Sequence, residues 1–426
     1  MSNRLPQSLS SLFLVSLLIT ALFVPAKATS QSQAKQQLSQ RLTLTSSILS
    51  EQRQVQIVLP ENYFSNPTAT YPVLYLLDGD YVTAGVSGML DFLGNKAQVI
   101  PDVIVVGIAD KGTTRYRQYM TPATSAEQED KAAKFLNFLT KEVKPFIADQ
   151  FRTADNHIIA GQSVGGLFVF NALLTQPEAF DHYLAVSPAI WLNDHAIINK
   201  AEQVIGKKDL HGASLYLSLG DETRQGVYSV VELVDQRPSP QLNWQFDHYP
   251  EENHNSVGII AIRNNLKAIF DQWSLSDKAL EQLGSPEKLV AHYQTLSAKF
   301  NIDQAIPTPS VKAMVRYFYR HKKAKQLNEF INETAKILPA SEEALIKMQA
   351  SYVGHFDSPK SALTILQNAS PKFTQSVDFL KTLADSYQQN KQADKAQRYY
   401  RKALKLARQQ DANQWLINII EAKIAQ

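Results

Sequence analysis

The stretch HIIAGQSVGG, residues 157–166, decides how the chain is read. An apolar run of strand length leads into a serine flanked by glycines, and GGLFVFNALLTQP (165–177) continues as a helix. Gly161-Gln162-Ser163-Val164-Gly165 is G-x-S-x-G, a weak signal as a bare pentapeptide. Between a strand and a helix it predicts a nucleophile elbow, a sharp turn that lifts the serine hydroxyl clear of a sheet. Only small residues tolerate the close backbone approach such a turn needs, which accounts for Gly161 and Gly165.

Working outward, residues 29–275 alternate strand-like and helix-like runs. RQVQIVLP (53–60) alternates polar and apolar residues as a half-buried strand does. YPVLYLLDGD (71–80) and DVIVVGIA (102–109) are near-continuous apolar runs, as in strands covered on both faces. Residues 129–151 carry apolar side chains at helical spacing. HYLAVSP (182–188), ASLYLSLG (213–220) and NWQFDHYP (243–250) read as further strands, and 254–273 closes with a helix. This is the pattern of an open, mostly parallel α/β sheet with flanking helices.

After about residue 275 the strand signal stops, and the chain reads as helices of 10–16 residues. Residues 276–307 are expected to form a helical linker, and 308–426 an all-α domain of tetratricopeptide-like repeats. In 379–407, Leu380, Leu383, Ala384, Tyr387, Ala396, Tyr400 and Ala403 fall at the spacing of such a helix pair. Weaker copies align on Phe318 and Tyr352, with Pro339 ending the first. Plain helical hairpins are the alternative. A repeat array of this kind would offer a surface to a protein or peptide partner.

A chain of 426 residues with 44% apolar and 19% charged residues is globular and long enough for two domains. It contains no cysteine, which excludes disulfides, zinc–thiolate sites and a cysteine nucleophile. Residues 1–28 read as a signal peptide: Arg4 supplies the positive start, LFLVSLLITALFV (12–24) the apolar segment, and Ala26-Lys27-Ala28 the cleavage site. An exported protein, periplasmic or secreted, with no membrane span after cleavage is expected; an uncleaved anchor is the alternative. Charge is unevenly spread, with 19 Lys and Arg against 26 Asp and Glu in 29–275, and 22 against 14 in 276–426. Opposite charge on tethered halves predicts salt-sensitive docking, against a solvated basic face. Nothing resembles a nucleic-acid module.

A serine hydroxyl needs a base, and chains built on this elbow order the triad as Ser, acid, His. Five histidines follow Ser163 before residue 275. His182 opens a strand, His195 and His211 lie in helical or linker sequence, and His248 sits inside a strand. His254, just past the last strand, can swing over the elbow and is the expected base. The acid should follow LYLSLG, where Asp221 and Glu222 stand together; Glu222 is preferred and Asp221 competes. Backbone N–H groups of Val164, after the nucleophile, and of Asp80, in the turn after VLYLLDG, are expected to form the oxyanion hole.

YPVLYLLDGD, TTRYRQYMTP, GQSVGG, YLAVSP, LGDE and ENHNSV, in that order over roughly residues 45–275, resemble the "Putative esterase" family of α/β hydrolases. That group includes esterase D, feruloyl and acetyl-xylan esterases and siderophore esterases of the Fes and IroE type. The resemblance implies a serine carboxylesterase that needs no metal or cofactor and takes a small-molecule ester such as a siderophore lactone. It supports Ser163 and His254 strongly and Glu222 less, because some siderophore esterases are thought to use a Ser–His dyad. Family members often read Arg-Asp-x-Thr-Pro where this chain has Gln118-Tyr119-Met120-Thr121-Pro122. Arg115 and Arg117 nearby are candidates for contact with an anionic substrate. The competing reading is an interaction protein that works through its repeats and carries a vestigial hydrolase domain.

Overall fold

The computed structural model describes residues 38–426 apart from 111–115, 126 and 224, so the expected signal peptide lies outside the described residues. Eight strands form one sheet: β1 (Ser39–Ser46), β2 (Glu51–Val58), β3 (Tyr71–Leu76), β4 (Ile104–Ile108), β5 (Thr153–Gln162), β6 (His182–Val186), β7 (Ser214–Leu219) and β8 (Asn243–His248). Their spatial order is β1-β2-β4-β3-β5-β6-β7-β8. β1 and β2 pair antiparallel, β2 runs antiparallel to β4, and every later pairing is parallel. The parallel strands end together at one edge, and in open α/β sheets the crevice outside those carboxyl ends is where ligands bind.

Period-two alternation sends successive side chains to opposite faces. Val73, Tyr75, Val106, Ile159, Leu215 and Leu217 pack on one face, under the helices Lys131–Phe138, Val164–Thr175 and Val227–Gln236. Leu74, Leu76, Val105, Ile158, Ala160 and Leu184 pack on the other, under the helices Gly79–Asp91 and Val257–Ile269. All six residues of β3 are buried, as its unbroken apolar run predicts.

The second apolar layer continues without a gap into the helices beyond residue 275. Phe270 meets Phe300 edge-on at 5.0 Å, and Trp273 meets Tyr293 at 5.8 Å. The Tyr293 hydroxyl donates to the Trp273 carbonyl at 2.9 Å and lies 2.8 Å from Ser310 Oγ. Gln304, 5% exposed, reaches under the sheet. Its Nε2 donates to the carbonyls of Thr70 (3.2 Å) and Asp102 (2.8 Å), and its Oε1 accepts from Asp102 N (2.8 Å). The contact is therefore apolar with a buried amide, where charge asymmetry alone predicts an electrostatic one. Within the helical half, Lys347 pairs with Glu343 and Asp378, Lys372 with Glu342, and Arg408 with Glu421. Arg320, Lys322, Lys323 and Lys325 are exposed. Phe318, Tyr352 and Tyr387 fall on the helices Thr308–Arg320, Glu342–Phe356 and Val377–Gln389.

Candidate active site

β5 delivers Ser163 at the carboxyl edge of the sheet, and the Val164–Thr175 helix starts at the next residue. Ser163 has φ 57° and ψ −116°, a conformation a side-chain-bearing residue holds only when its surroundings force it. The forcing contacts are local: Ser163 N donates to the Val186 carbonyl at 3.0 Å, and its own carbonyl accepts from Leu167 N and Ala189 N. A Cβ on Gly161 would stand 2.6 Å from the Gly165 backbone, so the second glycine of the motif makes room for the first. Both lie where the sequence placed them.

His254 sits in the turn between β8 and the Val257–Ile269 helix. Asn253 holds that turn, its side-chain oxygen accepting from Asn255 N (2.9 Å) and Ser256 N (3.2 Å). The Gln162 side-chain amide donates to the His254 carbonyl, fastening the histidine loop to the residue before the nucleophile. Glu222 Oε2 lies 2.6 Å from His254 Nδ1; the carboxylate is 10% exposed and the imidazole 35%. Asp221 is exposed, and its backbone N–H donates to the Glu252 carbonyl at 2.7 Å. Of the two adjacent carboxylates, then, Glu222 faces the imidazole.

Asp78 closes β3 with φ 56° and caps the Gly79–Asp91 helix. A Cβ on Gly165 would come within 3.1 Å of Asp78 Oδ2, so this turn and the serine turn abut. Asp80 occupies the first helical turn, its carboxylate bridged to Arg41 at 2.7 Å. Val164 opens the other helix. First-turn N–H groups lack intrahelical acceptors and favour negative charge. Arg115 and the side chain of Arg117 lie outside the described residues.

Sequence reasoning passed over three residues around the acid. Ser187, fully buried with φ 39°, donates from Oγ to Glu222 Oε1 at 2.6 Å. Gln225 Nε2 donates to Glu222 Oε2 at 2.8 Å, and Trp191 Nε1 donates to Gln225 Oε1 at 3.2 Å. A serine before a proline and a glutamine in a loop carry no pattern of their own; only the fold brings them to Glu222. Among the described residues no group of three or more His, Cys, Asp or Glu side chains could hold a metal ion. Nor is any helix there long and apolar enough to cross a membrane.

The family described as "Putative esterase" matches residues 46–248. The ferri-bacillibactin esterase of Bacillus subtilis is 30% identical over 193 residues, 40% of this chain and 66% of that one, just under two thirds of the relative's length. An IroE-like serine hydrolase from Shewanella oneidensis shares the fold over 72% of this chain and 99% of its own, with TM-score 0.57 and 24% identity. An uncharacterised protein from Capnocytophaga ochracea does so over 91% and 98%, with TM-score 0.55 and 16% identity, which carries the shared fold into the helical half.

Proposed function

We propose, from the match of residues 46–248 to the family described as "Putative esterase", that the chain is an exported serine carboxylesterase that opens siderophore lactones or related small acyl and aryl esters. The observation that carries this reading is the 2.6 Å contact between Glu222 and His254, whose loop is tied by Gln162 to the turn bearing Ser163. In the first step His254 Nε2 takes the Ser163 proton as Oγ attacks the ester carbonyl. N–H groups of Val164 and Asp80 hold the oxyanion. Glu222 keeps the proton of the neutral imidazole on Nδ1 and stabilises the imidazolium that forms. His254 then protonates the departing alkoxide. In the second step it deprotonates a water, which attacks the acyl-enzyme and frees Ser163. Arg115 and Arg117 are the cations we assign to an anionic substrate. Residues 1–28 are the segment that would direct export, and the helical half would carry a partner surface.

The test is hydrolysis of p-nitrophenyl acetate and butyrate and of a panel of siderophore lactones and feruloyl esters by the purified chain. Ser163→Ala and His254→Ala are each expected to lower the rate on the order of a million-fold. A well-folded variant that keeps more than about a tenth of the activity overturns the role given to that residue.

A further inference from the structure

Glu222 has two oxygens and three donors. His254 Nδ1 and Gln225 Nε2 share Oε2, at 2.6 and 2.8 Å, while Ser187 Oγ takes Oε1 at 2.6 Å. The Gln225 amide is itself oriented: its oxygen accepts from the Trp191 indole at 3.2 Å, which leaves its nitrogen turned toward the carboxylate. Trp191 belongs to the segment after β6, Gln225 to the segment after β7, and the two are clamped at a second point. Gly226 (φ 75°) closes the Gln225 segment, and a Cβ there would meet the His195 ring at 2.9 Å. His195 ends a run of left-handed residues, Asn193, Asp194 and His195, with φ of 53°, 54° and 60°. A run of that kind costs energy at each residue and persists only when its surroundings over-determine it. Trp191 is 48% exposed, so the chain of bonds from the indole through Gln225 and Glu222 to His254 begins at the protein surface.

We infer that Gln225 is a positioning residue for the catalytic acid and that Trp191 fixes Gln225 in that role. Gln225 touches no reacting atom; it acts through Glu222. The inference rests on the acyl-enzyme reading above. Its second donor on Oε2 spreads the charge of the carboxylate that His254 shares. Removing it concentrates negative charge opposite the imidazole and favours the imidazolium, whereas a carboxylate in its place adds a like charge and favours it more. Among the described residues no other charged side chain bonds to Glu222 or His254.

The experiment is the pH dependence of kcat/KM for p-nitrophenyl butyrate with the full-length wild type, Gln225→Ala, Gln225→Glu and Trp191→Phe. The acid limb reports protonation of the base in the free enzyme. It is expected to move to higher pH in Gln225→Ala and further in Gln225→Glu, with kcat about tenfold lower in Gln225→Ala and KM little changed. Trp191→Phe keeps an aromatic ring and loses the N–H; it should shift the limb in the same direction. Combined with Gln225→Ala it should add nothing, because both remove one chain of bonds. An acid limb at the wild-type position in all three variants overturns the inference, and so does a double variant in which the two losses multiply. Wild-type activity that survives Ser163→Ala overturns the acyl-enzyme reading itself, a result distinct from an unmoved limb in a Ser163-dependent enzyme.

Discussion

A carboxylate that accepts from Ser187, Gln225 and His254 at once has little freedom to turn away, and at residue scale that restraint separates Glu222 from its neighbour. Glu222→Gln can still accept from His254 but carries no charge to stabilise an imidazolium. We expect a loss on the order of 10²–10⁴-fold in kcat. Asp221→Asn, on an exposed side chain, should stay within about twofold, since surface changes away from such contacts are close to neutral. Steady-state kinetics on both variants decides between them; equal and mild effects would leave a Ser–His dyad. The serine and histidine were legible in the sequence because each has a positional signature, a glycine-flanked turn and a loop after the last strand. Glu222 was legible only as one of a pair, since adjacent loop carboxylates look alike until the direction of the loop is known. Ser187 and Gln225 were illegible because their partners lie 35 and 3 residues from them along the chain with no spacing rule to connect them.

At element scale, β3 and β4 read as strands from unbroken apolar runs and are buried throughout, while β2 read from its polar–apolar alternation and is buried on one face. β1 went unread, because SQRLTLTS at the sheet edge has only Leu42 and Leu44 as apolar residues and half of its positions are exposed. Two strands begin on or carry a histidine that burial keeps neutral. His157 in β5 is pushed down to about 4 by burial and by nearby Lys144, and His182 at the start of β6 to about 4 by burial and by Lys299. Nδ1 of each is buried without a hydrogen-bond partner among the described residues. The unfolded chain takes up these protons near pH 6.5 and the folded chain only near pH 4, so between those values the unfolded state holds more protons and stability falls as pH falls. Each histidine contributes a slope of about 1.4 kcal/mol per pH unit across that window. Asp102, whose carboxyl is pushed up to about 7 by burial and by Asp91, opposes them, since it binds its proton in the folded state first. The histidine contribution is therefore read as a difference. Urea unfolding at about pH 7 and pH 5 should show His157→Phe/His182→Phe losing less stability on acidification than the wild type. An equal loss in both would remove the assignment.

For the whole molecule, the helices after residue 275 are joined to the sheet by buried aromatic and aliphatic side chains, and apolar contact is not weakened by charge screening. The radius of gyration by small-angle scattering should stay constant from roughly 0.01 to 1 M salt, over which the screening length shrinks from ~30 to ~3 Å. A radius that grows with salt would return the electrostatic account that the charge asymmetry suggested. That asymmetry was misleading because a residue count reports surface charge and says nothing about which side chains face the junction. Cutting the chain after residue 275 uncovers Phe270 and Trp273, at about 1.5–3 kcal/mol for each large side chain returned to water. Against a typical total of about 5–15 kcal/mol, a fragment ending there should be insoluble or lack cooperative thermal unfolding, as circular dichroism would record.

Gln304 gives that junction a direction in time. The carbonyls of Thr70 and Asp102 stand at the amino-terminal ends of β3 and β4, and the side chain that satisfies them arrives about two hundred residues later. On a chain emerging from its amino end, the sheet-bearing half is synthesised with the base of its sheet still open to water. It closes only when the segment through Ser310, which Tyr293 also engages, has followed. Completion of the sheet is thereby coupled to delivery of the helices: a ribosome stalled short of this segment holds an unfinished fold, although Ser163, Glu222 and His254 have already been made.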